Sequence, residues 1–251
     1  MLSFERQQAI LDYIRQNHSA KVSELSEKFY ISETSIRRDL QRLERAGLIH
    51  KTYGGAVLVQ GDNEVISLAA RQQMEHEAKI IIARKAASMI SNGQVIFLDS
   101  SSTALAMVPY LSQLTNLSVI TNGLKIAAAL ADYPQFKVYV LGGLLNTRAL
   151  SMRGTLTLQM LKGFSANRLF VSPRSVDERG NVFCADEEEA AARRMMMDLS
   201  DETILLCNTK KLGQRAAFRL CGLNEVSAIV CDEAPDTPWL SGFEQSGLRL
   251  L

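Results

Sequence analysis

The residues best suited to chemistry fall into two separate groups. The first is Ser32, Glu33, Thr34, Ser35, Arg37 and Arg38, within the string ISETSIRRDLQRLERAGLIHKTYGGA. Short hydroxyl side chains at a helix start present N–H and O–H donors suited to phosphate oxygens. An arginine just after them can read a guanine edge through a bidentate pair. Adjacent helical residues diverge by about 100°, so Arg37 and Arg38 do not read bases equally. A solvated charged face, with Arg38 paired to Asp39 or Glu44, is the alternative for this helix taken alone. The second group sits at the ends of apolar runs. Asp99-Ser100-Ser101-Ser102-Thr103 follows residues 95–98, Thr121-Asn122-Gly123 follows 117–120, and Gly142-Gly143 follows 137–141. A hydroxyl-rich loop opening a helix can donate to a phosphate, or it can be an N-cap with no ligand. Paired glycines let backbone approach a ligand closely, or mark a turn. Arg148, Ser151, Arg153 and Gly154 then follow in a polar stretch.

These residues need elements to position them. Ile10, Leu11 and Ile14 predict a helix over 3–16, and Leu25 and Phe29 a second one capped by Ser23, with Val22 as a short strand residue before it. After a turn at Tyr30-Ile31, Ser32 caps a third helix in which Ile36, Leu40 and Leu43 share a face. Gly47 ends it where a positive φ is usual. Residues 48–53 read as a strand, Gly54-Gly55 as a tight turn and 56–59 as a returning strand. Three helices and a β-ribbon are the order of a winged helix-turn-helix. Lys51, Tyr53 and Gly54 of the ribbon join the expected DNA-binding residues.

From residue 74 onward the pattern alternates. Short runs rich in β-branched residues at 95–98, 117–120, 137–141, 168–171, 203–206 and 228–231 read as strands covered on both faces. Helical stretches intervene at 75–91, 103–113, 123–132, 155–162 and 186–199. Such alternation implies an α/β fold with a mostly parallel sheet and a ligand at the carboxyl ends of its strands. The domain expectation is 1–57, a linker over 58–73 holding a turn signal at Gly61-Asp62-Asn63, and 74–251.

Composition narrows the function classes. The chain has 251 residues, is 47% hydrophobic and 22% charged, and carries a net charge of +1. Wholesale disorder and polybasic coating of nucleic acid are therefore excluded. The charge is unevenly sorted: residues 28–51 hold 6 basic and 3 acidic side chains, where phosphate neutralisation would need them. The charged N-terminus is unlike a signal peptide, and no apolar run reaches the length of a membrane span. The four cysteines form no C-x-x-C pair and there are only three histidines, so neither a metal site nor a cofactor is expected. Reduced thiols in the cytoplasm are the plain expectation. Asp186 to Glu189 suits a solvated helix start better than a metal site, and one or two of Met195, Met196 and Met197 should enter a core.

The string quoted above, with Arg6, Ile10 and Ile14 upstream and its Arg37-Arg38-Asp39-Leu40 and Gly54-Gly55-Ala56 cores, resembles the N-terminal signature of the DeoR family of bacterial transcriptional repressors. The resemblance continues from Glu77 and Lys79 through LDSSST, VITNG, VLGG and RALSMRG, similar to the family's sensor domain, itself related to ribose-5-phosphate isomerase. It implies a phosphorylated sugar effector cradled by Asp99, Ser100, Ser101, Ser102 and Thr103, with Thr121, Asn122, Gly142 and Arg148 nearby. Asp177 and Lys211 match an acidic and a basic position of the family. It further implies double-stranded operator DNA as partner and a homodimer or homotetramer, with no membrane partner.

The chain departs from the pattern in places. Ser101 stands where glycine is usual and tolerates a positive φ poorly. SPRSVD at 172–177 replaces a small glycine-containing loop, and Asn208 and Lys210 replace an aspartate and a serine. Added positive charge would favour a more anionic ligand, unless Lys210 points to water. The competing function is a sugar-phosphate isomerase or lyase with Asp99, Asp177 and Lys211 as acid–base candidates. A third is an architectural DNA-binding protein whose second domain only oligomerises.

Overall fold

Apolar side chains spaced by three and four build the first helices. In the computed structural model, which describes residues 3–17, 19–45, 47–58, 67–245 and 247–251, α1 (Ser3–Asn17) buries Ile10, Leu11 and Ile14. The short β1 (Ser19–Lys21) leads to α2 (Val22–Phe29), and α3 (Glu33–Arg45) follows. Ile36, Leu40 and Leu43 of α3 join Leu25, Ala20 and Ile49 in one core. Strands β2 (Ile49–Thr52) and β3 (Gly55–Leu58) form the ribbon, and β1 pairs antiparallel with β3 on its other side. The strand expected at Val22 thus ends one residue earlier. Val22 instead opens α2, and Glu24 rather than Ser23 closes its start by accepting the Lys21 N–H at 3.2 Å. Gly47 takes φ 72° after α3. Of the two ribbon glycines, Gly55 is the one the fold requires: a Cβ there would lie 2.2 Å from the Ala20 carbonyl oxygen.

The chain divides into two compact units, Met1–Met74 and Glu75–Leu251. Part of the stretch expected as linker is helical, α4 (Leu68–Gln73), capped by Ser67 Oγ accepting the Ala70 N–H. The turn expected at Gly61-Asp62-Asn63 lies outside the described residues.

In the second unit the chain alternates much as its sequence predicts. It runs α5 (His76–Ala87), β4 (Val95–Leu98), α6 (Ser102–Met107), β5 (Ser118–Thr121), α7 (Leu124–Leu130) and β6 (Lys137–Val140). A hairpin of β7 (Leu144–Asn146) and β8 (Ser151–Arg153) precedes α8 (Thr155–Leu161) and β9 (Ala166–Val171). Then come β10 (Ser175–Val176), β11 (Asn181–Cys184), α9 (Glu187–Asp198), β12 (Ser200–Leu206), β13 (Phe218–Gly222), β14 (Ala228–Val230), α10 (Ser241–Glu244) and β15 (Arg249–Leu250). The helix expected over 103–113 is α6 followed by a 3-10 turn at Val108–Leu111, because Pro109 supplies no N–H to continue an α-helix.

Seven strands form one sheet in the order β15-β14-β12-β9-β4-β5-β6, every neighbouring pair parallel. Alternate residues of each strand enter opposite cores. Ile96, Leu98, Phe170, Ile204 and Leu206 pack with Ile82, Met107 and Ile126 from α5, α6 and α7. Phe97, Leu169, Val171 and Leu205 pack with Leu161 of α8 and Met196 of α9. Met196 and Met197 are both buried, as the triplet predicts. From β4 the chain steps outward to β5 and β6, then returns to the other side of β4 as β9 and continues outward through β12, β14 and β15. The direction therefore reverses between β4 and β9, and it is at such a switch that strand ends leave a ligand crevice.

Candidate functional sites

On α3 the geometry separates structural from available charge. Asp39 is buried and accepts hydrogen bonds from Arg6 Nε at 2.5 Å and Gln7 Nε2 at 3.0 Å. It fastens α1 to α3 and is not Arg38's partner. Arg37 Nη2 donates to Glu33 Oε2 one turn back at 3.0 Å, both half-exposed. Arg38 is exposed and makes no ion pair among the described residues. Ser32, Thr34 and Tyr53 are exposed, Ser35 is half-buried and takes the Ser32 hydroxyl at 3.1 Å. In the ribbon, Lys51 donates its N–H to Glu44 Oε1 at 2.9 Å, with its ammonium 4.0 Å from Glu44. The Gly54 carbonyl accepts the Val22 N–H at 2.9 Å. The expected DNA-binding residues therefore sit on α3 and the ribbon, largely solvent-facing.

In the second unit, four strand ends are tied to one another. Asp99, 1% exposed in its side chain, accepts the Ser101 N–H on Oδ1 and the Ser172 N–H on Oδ2, each at 3.1 Å. The second bond crosses the β4–β9 switch. Ser172 Oγ receives Lys211 Nζ at 2.9 Å, lies 3.4 Å from Thr103 Oγ1, and donates to the Leu206 carbonyl at 2.8 Å. Lys211 also donates to the Pro173 carbonyl at 2.8 Å. On the β5 side, Thr121 Oγ1 accepts the Gly123 N–H at 3.0 Å, and a Cβ on Gly123 would stand 3.1 Å from Ser100 Cα. Asn122 donates its side-chain amide to the Met152 carbonyl at 2.9 Å, leaving Oδ1 buried with no hydrogen-bond partner among the described residues. Ser101 adopts φ −75°, ψ 156° and caps α6 by accepting the Ala104 N–H. The expected conformational conflict at Ser101 is thus corrected: an extended backbone needs no glycine.

Other expected residues do different work. Gly142 donates its N–H to Met160 Sδ at 3.1 Å, and its carbonyl accepts the Thr157 hydroxyl at 2.7 Å. It is Gly143, at φ 143° with Thr157 Oγ1 2.2 Å from a notional Cβ, that must be glycine. Asp177 closes the β10–β11 turn, accepting the Asn181 and Arg179 N–H groups. Burial raises its pKa, but those bonds and Arg215 outweigh it and the net shift is downward. Its carboxylate's hydrogen bonds and ion pair go to Arg179, Asn181 and Arg215, none of them in the Asp99 loop. Arg148 is exposed, with its N–H on Asn146. Lys210 points to Glu75, at 2.9 Å and 3.0 Å from its two oxygens, and Asn208 caps the following turn by accepting the Lys210 N–H. The extra cation at 210 is therefore matched by a carboxylate and does not argue for a more anionic ligand.

Sequence reading missed the residue at the centre of this site. Arg193 of α9 is 4% exposed and donates to Asp99 at 2.6 Å and Glu189 at 2.7 Å. Burial opposes its charge, but the two carboxylates prevail and raise its pKa. Glu188 meets Arg153 of β8 at 2.8 Å. So the acidic start of α9 is not simply solvated: Glu188 reaches Arg153 of β8 and Glu189 pairs with Arg193 one turn along its own helix. A basic residue four positions after Glu189 was the available signal, since i,i+4 pairs share a helix face. The other partner of Arg193, Asp99, had no local trace. All four cysteines are buried and free. Burial raises Cys184 and Cys207 to about 11 and Cys221 and Cys231 to about 12, so the thiols are poor nucleophiles. Among the described residues no cluster of His, Cys, Asp or Glu suits a metal ion, and no helix is long and apolar enough to cross a membrane.

Comparison with known proteins bears on both units. The DeoR-like helix-turn-helix domain family matches residues 6–61, and the DeoR C terminal sensor domain family residues 74–233. The HTH-type transcriptional regulator YulB of Bacillus subtilis is 32% identical over 100% of this chain and 96% of its own. The HTH-type transcriptional repressor GlcR of the same organism is 29% identical over 100% and 96%. The L-fucose operon activator of Haemophilus influenzae is 31% identical over 92% and 93%. Ribose-5-phosphate isomerase A of Methanocaldococcus jannaschii shares 16% identity over 53% of each chain with a TM-score of 0.40, too slight a likeness to bear on activity. With a DeoR-type helix-turn-helix at one end and a DeoR sensor domain over most of the rest, the chain belongs to the DeoR family of helix-turn-helix transcriptional regulators.

Proposed function

We propose that this protein is an effector-controlled repressor of a carbohydrate-utilisation operon. It binds double-stranded operator DNA through α3 and the β2–β3 wing, as a homodimer or homotetramer, and a phosphorylated sugar or sugar acid at the β4–β9 switch. The observation that carries the effector reading is the pair of donor groups gathered there, the Thr103 hydroxyl and the Lys211 ammonium, which stand 3.4 Å and 2.9 Å from the same Ser172 Oγ. Hydroxyls and an ammonium suit a phosphate, while the neighbouring Asn122 Oδ1 is a buried acceptor available to a sugar hydroxyl. In this reading Asp99 holds the Ser101 and Ser172 backbones in place. Ser100 and Ser102 flank that loop; Arg148, Gly142 and Asp177 are peripheral.

For the effector to regulate, it must favour one arrangement of the protein over another. A ligand bridging Thr103 and Lys211 spans segments that follow two different strands, β4 and β12, and closing them together is the differential contact. Thermal-shift measurements on the full chain with hexose monophosphates, a hexose bisphosphate and a sugar-acid phosphate test this directly. Stabilisation by at least one phosphate, with no stabilisation by the unphosphorylated sugar and no turnover of the bound compound, is expected. Best stabilisation by a neutral sugar would overturn the phosphate reading, and product formation would favour a sugar-phosphate isomerase.

A further inference from the structure

One left-handed residue, Tyr30 at φ 54°, separates α2 from the turn into α3. Side chains other than glycine avoid this region, bulky ones most of all. The bonds that fix the turn do not use the tyrosine side chain. The Tyr30 N–H donates to the Glu27 carbonyl at 3.4 Å, the Ile31 N–H to the Ser26 carbonyl at 3.1 Å, and Ser26 Oγ to the Ile31 carbonyl at 2.5 Å. A glycine would make the same backbone bonds without strain. Tyr30 is 96% exposed, and its ring and hydroxyl have no partner among the described residues. A strained position occupied by an aromatic side chain that packs on nothing has its use outside the chain.

Among the described residues of the first unit, one other large hydrophobic side chain is as bare, Tyr53 at the wing tip, 106% exposed. The two lie at opposite ends of α3 along the chain. Tyr30 precedes its first turn, and the wing follows its last, held there by the Leu48 N–H on the Leu43 carbonyl and the Lys51 N–H on Glu44. A helix of 13 residues is about 20 Å long, and the major groove, roughly 12 Å wide, is bordered on each side by a phosphate backbone. A helix of that length seated in the groove brings its two ends to the two backbones. We propose that the Tyr30 hydroxyl donates a hydrogen bond to a DNA phosphate oxygen and anchors the N-terminal end of α3. Tyr53 takes the corresponding place at the wing. The contact is neutral and independent of sequence. It displaces no counterion, unlike a lysine or arginine contact.

The inference rests on α3 as the groove helix, so Arg38→Ala serves as the control. The full-length protein first selects a duplex of about 30 bp from a random-sequence pool. Affinity for it and for a scrambled duplex is then measured at several salt concentrations for the parent, Tyr30→Phe, Tyr30→Gly and Arg38→Ala, together with each protein's Tm. Tyr30→Phe and Tyr30→Gly are expected to weaken binding to both duplexes by roughly five-fold. The slope of log affinity on log salt stays at the parent's value, and the Tm of Tyr30→Gly is no lower than the parent's. If Arg38→Ala weakens binding and both Tyr30 variants bind as the parent does, the Tyr30 contact is wrong while the groove helix stands. If none of the three weakens binding, the groove assignment fails and the Tyr30 contact with it. A loss confined to the selected duplex would make Tyr30 a base reader. A lower Tm in Tyr30→Gly would give the side chain a packing role. Either result overturns the proposal.

Discussion

The two units dispose their polar residues in opposite ways. In the first, the side chains assigned to DNA stand in solvent, and the buried charge, Asp39 with Arg6, only joins α1 to α3. In the second, Asp99, Ser100, Ser101, Ser102, Thr103, Thr121 and Asn122 are all buried, and an ion triad of Asp99, Arg193 and Glu189 lies among them. The difference follows the ligand. A stiff polyanion is met by exposed charges that remain hydrated until contact. A small molecule must be enclosed, and a pocket of backbone loops can keep its shape only if something rigid holds those loops. Arg193 does that for the second unit; the helical core does it for the first.

This contrast can be broken at either end, and the largest effect is expected at Arg193. Arg193→Ala leaves the buried Asp99 and the partly buried Glu189 without their cation and should cost about 3–5 kcal/mol. Urea unfolding followed by the fluorescence of Trp239, the chain's single tryptophan, reports on the second unit alone. A loss below about 1 kcal/mol would mean the triad is not what holds the loops. Asp39→Ala is its counterpart in the first unit. Removing the acceptor for Arg6 and Gln7 should cost about 2–3 kcal/mol and abolish DNA binding, with the Trp239 transition unmoved.

Surface changes should act on binding without touching stability. Arg37→Ala or Arg38→Ala is expected to cost about 1–3 kcal/mol of specific DNA affinity if it reads a base. A panel of single-base variants of the selected duplex separates relaxed preference at one position from a uniform loss, which marks a phosphate contact. At the proposed effector site, Thr103→Val keeps the shape and removes one donor, so phosphate affinity should fall by about 1 kcal/mol in calorimetric titration, with DNA affinity unchanged in the absence of effector. The smallest effect is at Lys210, 71% exposed beside Glu75. Lys210→Ala should cost at most about 0.5 kcal/mol after solvent screening. Glu75 raises the lysine pKa, so this contribution is complete below the ordinary lysine pKa and is lost as pH rises through the raised value. Unfolding at neutral and strongly alkaline pH checks that sign.

Legibility divided along the range of the interactions. The α3 periodicity, the Gly47 stop and six of the seven parallel strands could be read because each depends on side chains a few residues apart. The β7–β8 hairpin, the β10–β11–β13 sheet and β15 could not. Their strands lack the apolar, β-branched runs of the central ones, the hairpin being LLN and SMR, and the β11–β13 pairing depends on partners far along the chain, such as Val182 opposite Cys221. Gly55 and Gly143 were visible as glycines, but the need for them lies in the Ala20 carbonyl and the Thr157 hydroxyl.

The sequence by itself determined that there are two kinds of unit, one helical with local positive charge and one of alternating strands and helices, and it placed hydroxyl-rich loops at the strand ends. These are consequences of local backbone preference and of which faces are apolar. Only the tertiary structure decided that β9 returns beside β4, that Ser172 therefore meets Asp99 and Lys211, and that Arg193 closes the site from a helix 94 positions away in the chain. Strand order is set by the summed burial of two cores on either side of the sheet, and a charge can be buried only where that packing brings its partners. Neither is written in any short stretch of residues.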